Sequence, residues 1–206
     1  VWTDRIHSVL CITVSHRFCC LSYSFSILYV LKLKSVHNRT AKNSIFVGND
    51  KNEKNYQKIY EKVPAFRQEK ADRLKHREDQ AQSVGAWYLW MKIQERHKIP
   101  QDAGQSFNLS HSGKYVLCSA GVSGERVGCD IECMRKYHER LAEKYFCSSE
   151  YERIRNADEA ERTEMFYRYW VLKESFLKAT RKGLVMGLNT SEIQIPKQGD
   201  PFFFCL

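Results

Sequence analysis

Two short segments hold the residues that could do chemistry. Val127-Gly128-Cys129-Asp130-Ile131-Glu132 sets two carboxylates at i and i+2, and on a strand those positions project from one face. Trp170-Val171-Leu172-Lys173-Glu174-Ser175-Phe176-Leu177-Lys178 sets Glu174 and Lys178 at i and i+4, so on a helix a carboxylate and an ammonium share one stripe. Three carboxylates that can converge beside a lysine suit a hard divalent cation holding a phosphate-bearing ligand. Each pair also has a plain reading. Acids at strand ends are commonly just solvated, and Glu–Lys pairs decorate many surface helices. The flanks favour chemistry. Val127, Cys129 and Ile131, like Trp170, Phe176 and Leu177, imply partial burial, where a carboxylate is costly unless a cation neutralises it.

A third segment, Phe107-Asn108-Leu109-Ser110-His111-Ser112-Gly113, precedes the paired acids. Taken in order, F-N-x-S-H-S-G, G-x-D-I-E and W-x-x-K-E-S-x-x-K resemble the signature blocks of the 4'-phosphopantetheinyl transferases of the Sfp type, over roughly Lys58 to Ile195. That resemblance implies an α+β fold of two similar halves with the ligand site between them. It implies transfer of the 4'-phosphopantetheine arm of coenzyme A to a serine of an apo acyl or peptidyl carrier protein, releasing adenosine 3',5'-bisphosphate. Asp130, Glu132 and Glu174 would hold Mg²⁺, and Glu174 would also help deprotonate the serine. Lys178 would meet the pyrophosphate, and Ser110 and His111 the phosphates of coenzyme A. Arg67 and Lys70 match positions that meet its 3'-phosphate. Taken alone, Arg67, Lys70 and Arg73 form a basic helix stripe that solvation explains equally well, and Ser110 and His111 could be ordinary turn residues. One element of the family pattern, a short Gly-Lys-Pro, is not found ahead of Phe107.

Composition narrows the partners. At 206 residues, 43% hydrophobic and 28% charged, the chain can bury a core without staples. Its net charge of +9 suggests an anionic partner, which coenzyme A and an acidic carrier satisfy as well as nucleic acid does. Eight cysteines show no zinc-type spacing and read as reduced thiols of a cytoplasmic protein. A monomer without nucleic-acid or membrane partners is expected. Three other readings stay open: a catalytically impaired homologue that still binds coenzyme A or carrier, a metal-dependent nuclease, and a nucleic-acid-binding module. Against the nuclease, Met134 stands where its lysine would follow the acids. Against the module, no nucleic-acid-binding motif is found.

The elements that must position these residues follow from periodicity and breakers. Residues 1–44 hold only one acid, Asp4, and read as an atypical extension outside the fold. The apolar run Phe18–Leu31 is short of the ~20 residues a membrane span needs. The first methionine is Met91, so the start is expected to be processed, partial or unconventional, and the apolar end Phe202–Leu206 to be a truncation. Residues 45–105 would form a shortened first half and 106–206 the second, which carries the metal and catalytic motifs. A helix is expected over Ala65–Ile99, a buried strand over Tyr115–Gly121, and a strand over Arg126–Glu132. A capping box at Ser149–Glu152 would open a helix. A long helix would follow from Glu161 to Arg181 with Gly183 as its stop, and a strand from Ser191 to Ile195.

Overall fold

A computed structural model describes residues 9–14, 27–34, 45–46, 50–100, 107–121, 126–181, 187–195 and 202–205. These residues combine helices with short strands, an α+β composition. They divide into two compact units.

The first unit holds α1 (Asp50–Tyr60), α2 (Ala65–Asp72) and α3 (Arg77–His97). It also holds most of a four-stranded sheet ordered β3-β2-β5-β4, from β2 (Ile27–Lys34), β3 (Ile45–Phe46), β4 (Phe107–Ser112) and β5 (Tyr115–Ala120). Every residue of β5 is buried, as its unbroken run of apolar and small side chains requires. β4 and β5 are joined through Gly113 and Lys114, and Gly113 takes φ 53°. A tight hairpin turn needs that sign, and glycine adopts it without strain. The Gln82 amide of α3 donates to the Gly113 carbonyl at 2.8 Å, tying helix to turn.

Ala65–Ile99 is two helices rather than one. α2 stops at Asp72 and α3 starts at Arg77. The Leu74 carbonyl left at the break accepts from the Gln80 side chain at 2.9 Å, while the Leu74 amide returns to Ala71. The kinked pair closes over Tyr56, Val63, Ala71, Ala81 and Val84. Glu78 and Asp79 in the first turn of α3 and Arg96 and His97 in its last match the helix dipole.

The second unit contains β1 (Val9–Val14), β6 (Arg126–Ile131), α4 (Glu139–Tyr145), α5 (Ser148–Arg155), α6 (Glu159–Thr180), β7 (Ser191–Gln194) and β8 (Phe202–Cys205). β1 pairs antiparallel with β6, Leu10 opposite Asp130, and β7 pairs antiparallel with β8. Two described strands, β1 and β2, thus fall within residues 1–44. α6 packs on β6 and β1. Its other contacts close a core of Ala142, Phe146, Ile154, Phe166, Tyr169, Leu172, Phe176 and Ile193. α5 begins two residues earlier than a Ser149 cap would place it. Cys147 is its N-cap, and the Glu150 carboxylate accepts from the Cys147 amide at 2.9 Å. α6 ends at Arg181, which takes the left-handed conformation at φ 58°. The expected stop, Gly183, lies outside the described residues.

Candidate active site

Alternation along β6 sends residues 128, 130 and 132 to one face. What that face meets is fixed by Gly128. A methyl group there would lie 2.0 Å from the Ser175 carbonyl oxygen, 2.5 Å from the Ala179 nitrogen and 3.0 Å from the Ala179 Cβ. The strand therefore runs directly against the α6 backbone, and only glycine permits the approach. Ser175 and Ala179 are themselves small and fully buried. One residue pair along, the same face presents Asp130 to the helix stripe that carries Glu174 and Lys178.

There the carboxylate and ammonium meet. Lys178 Nζ lies 2.7 Å from Asp130 Oδ1 and 3.4 Å from the Cys129 carbonyl oxygen. Asp130 is buried, its side chain 4% exposed, while that of Lys178 keeps 27%. Glu174 is half-buried beside them. Burial pushes its carboxyl above the usual range, Lys178 pulls it back, and Asp130 adds a smaller push upwards. A carboxylate withdrawn from water in this way gains from a cation at close range. Glu132 follows the last residue of β6 and is half-buried. Hard carboxylate oxygens are the donors that Mg²⁺ prefers. Among the described residues, however, no three His, Cys, Asp or Glu side chains cluster as a ready metal cage. The structure brings Asp130, Glu174 and Lys178 together and leaves Glu132 at the strand's exit.

Lys173 and Glu174 are neighbours in sequence with opposite fates. Lys173 is fully buried and lies 2.8 Å from Glu150 Oε2. It also donates to the Leu188 carbonyl at 2.8 Å and to the Ser191 carbonyl. Glu150 accepts in turn from the amides of Cys147 at 2.9 Å and Ile193 at 2.7 Å. This network joins α5, α6 and β7 and holds the rotation of α6 that turns Glu174 towards β6. A lysine inside the apolar stretch Trp170–Leu177 was its sequence signal, since a buried ammonium demands a partner. Asn108 adds a second support, accepting from the Cys129 amide at 3.2 Å.

The remaining predicted residues lie in the first unit. Ser110 is buried and His111 exposed, both on strand β4 ahead of the turn. Arg67 and Lys70 sit one turn apart on α2, and Arg73 caps the helix from outside it. The Arg67 guanidinium lies over the Trp87 ring, 4.3 Å from its centroid. Burial lowers the Arg67 pKa. Among the described residues, buried Arg67 Nε and Ser83 Oγ have no hydrogen-bond partner. Ser83, one turn before Trp87 on α3, had no signal in the sequence pattern.

The comparisons bear on the segment that carries the carboxylates. Residues 126–205 match the sequence profile of the 4'-phosphopantetheinyl transferase superfamily. The matched span contains β6, α6 and all four of Asp130, Glu132, Glu174 and Lys178. The 4'-phosphopantetheinyl transferase Sfp of Bacillus subtilis strain 168 is 34% identical over 101 residues, covering 49% of this chain and 44% of the relative. A second 4'-phosphopantetheinyl transferase from Bacillus subtilis is 29% identical over 155 residues, 66% of this chain and 68% of the relative. The 4'-phosphopantetheinyl transferase HetI of Nostoc is 38% identical over 96 residues, 46% of this chain and 39% of that protein. The chain thus spans less than half the length of two of these three relatives.

Proposed function

We propose that this chain transfers the 4'-phosphopantetheine arm of coenzyme A to a serine of an apo acyl or peptidyl carrier protein. The serine oxygen forms a new bond to the phosphorus that bears the pantetheine. The bond from that phosphorus to the bridging oxygen breaks, adenosine 3',5'-bisphosphate leaves, and the serine proton passes to a carboxylate. One observation carries this reading: the superfamily segment sets the carboxylates of Asp130 and Glu174 beside the Lys178 ammonium on adjoining faces of β6 and α6.

Each residue has a role that its surroundings support. Glu174, half-desolvated and pushed towards protonation, is the proton acceptor. Lys178, anchored at its base but still partly exposed, can turn its ammonium from Asp130 to a phosphate oxygen. Asp130, Glu132 and Glu174 would hold Mg²⁺, which supplies neutralisation of the charge gathering on the pyrophosphate. Ser110, His111, Arg67 and Lys70 would hold the coenzyme. Among the described residues no helix is long and apolar enough to cross a membrane. The same reading makes the protein a cytoplasmic monomer whose partners are coenzyme A and carrier, not nucleic acid.

Intact-protein mass spectrometry of an apo carrier, incubated with the chain, coenzyme A and Mg²⁺, tests the proposal. A gain of one phosphopantetheine arm is expected, lost on adding a chelator or with Asp130→Ala. The impaired-homologue reading has support of its own, because Lys178 already engages Asp130. Coenzyme A binding by the folded chain with no mass gain on any carrier would establish that reading instead.

A further inference from the structure

We propose that Phe66 is the stacking face for the base of a purine nucleotide, with Trp87 holding the neighbouring cation in place. The inference deepens the coenzyme reading and rests on it, because adenine is the base that reading supplies. Phe66 is one of two large apolar side chains left exposed among the described residues, at 55%. Its ring stands nearly perpendicular to that of Trp87, at 87° with centroids 5.1 Å apart. The Arg67 guanidinium lies against both rings, 4.3 Å from the Trp87 centroid and 5.8 Å from that of Phe66. Its Nε is buried with no hydrogen-bond partner among the described residues. Lys70, exposed, follows one turn later on α2.

The combination selects a ligand class. An exposed ring alone would suit any apolar group, and a lysine alone any anion. A guanidinium held over an aromatic ring, with a donor unspent, is placed before any ligand arrives. An open π face beside that fixed cation matches a molecule that joins a planar ring to a phosphate. Base–aromatic stacking needs only the ring's face, so it requires no polar groups from Phe66.

Isothermal titration calorimetry of the full chain with adenosine 3',5'-bisphosphate and, separately, inorganic pyrophosphate tests this. Phe66→Leu should weaken nucleotide binding by about tenfold or more while leaving pyrophosphate binding unchanged. Phe66→Trp should keep nucleotide binding. Because Phe66 is exposed, thermal melts followed by circular dichroism should match the wild type for both variants. Nucleotide affinity unchanged in Phe66→Leu, or an equal loss for both ligands, would overturn the stacking role. Failure of the wild-type chain to bind the bisphosphate at all would overturn the coenzyme reading, and the stacking role with it. Wild-type binding with no change in Phe66→Leu removes the stacking alone.

Discussion

Replacing Gly128 by alanine should damage the candidate site without touching a charged group. The added methyl would sit 2.0 Å from the Ser175 carbonyl oxygen and 2.5 Å from the Ala179 nitrogen. Ordinary contact requires ~3.5 Å, so α6 and β6 must separate by roughly 1–1.5 Å, a shortfall read directly from those contacts. Both obstructing atoms are helix backbone, so no rotamer change can relieve them. Overpacking of this kind typically costs about 1–3 kcal/mol, and a chain of this size loses about 2–4 °C of Tm per kcal/mol. The catalytic effect should be larger. The Asp130–Lys178 contact of 2.7 Å bridges the same two elements, and a misplacement of ~1 Å can cost ~100-fold in rate. The assay pairs a thermal melt with carrier-modification kinetics on the folded fraction. The fall should appear in kcat more than in KM for coenzyme A. Ala179→Gly added to Gly128→Ala removes only the 3.0 Å Cβ contact, so it should not restore either quantity. Wild-type Tm and rate in Gly128→Ala, or full rescue by Ala179→Gly, would refute the close-approach argument.

Other expectations follow from the buried groups. Glu150→Gln and Lys173→Met should each destabilise the chain, by about 3–5 kcal/mol where a charge is left buried and unpaired. The double variant should recover part of that loss, since the unpaired charge is gone and Gln keeps one acceptor oxygen where Glu150 offered one each to the Cys147 and Ile193 amides; denaturant melts in a double-mutant cycle measure the coupling. Lys178→Met should likewise lower stability, with Asp130 left buried beside an apolar chain, and should reduce transfer as well. Among Cys118, Cys129, Cys133 and Cys147, Cys133 should react first with iodoacetamide, being half-buried where the other three are buried. Burial pushes the Cys147 thiol up, against an opposing pull from Lys173. Little thiolate therefore forms there at pH 8, and peptide mass spectrometry should find it modified last or only on unfolding.

Much of the site was legible because its geometry is local. Asp130 and Glu132 at i,i+2, and Glu174 and Lys178 at i,i+4, carry their own facing rules, and the structure sets Asp130 against Glu174 and Lys178. β5 was legible for the same reason, since six consecutive apolar or small residues leave few alternatives. What the pattern could not supply is tertiary. The break between α2 and α3 falls in Arg73-Leu74-Lys75-His76, all tolerable in a helix, and is stabilised by a side chain six residues on. The α5 cap is a cysteine, outside the usual Ser, Thr, Asp and Asn set, and is recognisable only once Glu150 is seen reaching back to it. Lys173 stands in an apolar stretch and so demands a partner, but nothing in the pattern names Glu150, on another helix, as that partner. Gly128 stood inside a recognised motif, yet its purpose is visible only against the α6 backbone.

The pairing of β1 with β6 has a consequence for how the chain acquires its shape. Val9 faces Ile131 and Val14 faces Arg126, so the strand carrying Asp130 is zipped to a segment made long before it, with the helices of the first unit synthesised in between. Closing so long a loop costs entropy that grows only slowly with length, but contacts this distant form late. A nascent chain must therefore keep β1 uncommitted while α1, α2 and α3 fold locally. Until β6 arrives, β1 offers an unpaired edge to any neighbouring strand. Assembly of the acidic strand is thereby placed among the final steps of folding, and synthesis at high local concentration should expose the protein to strand exchange between copies.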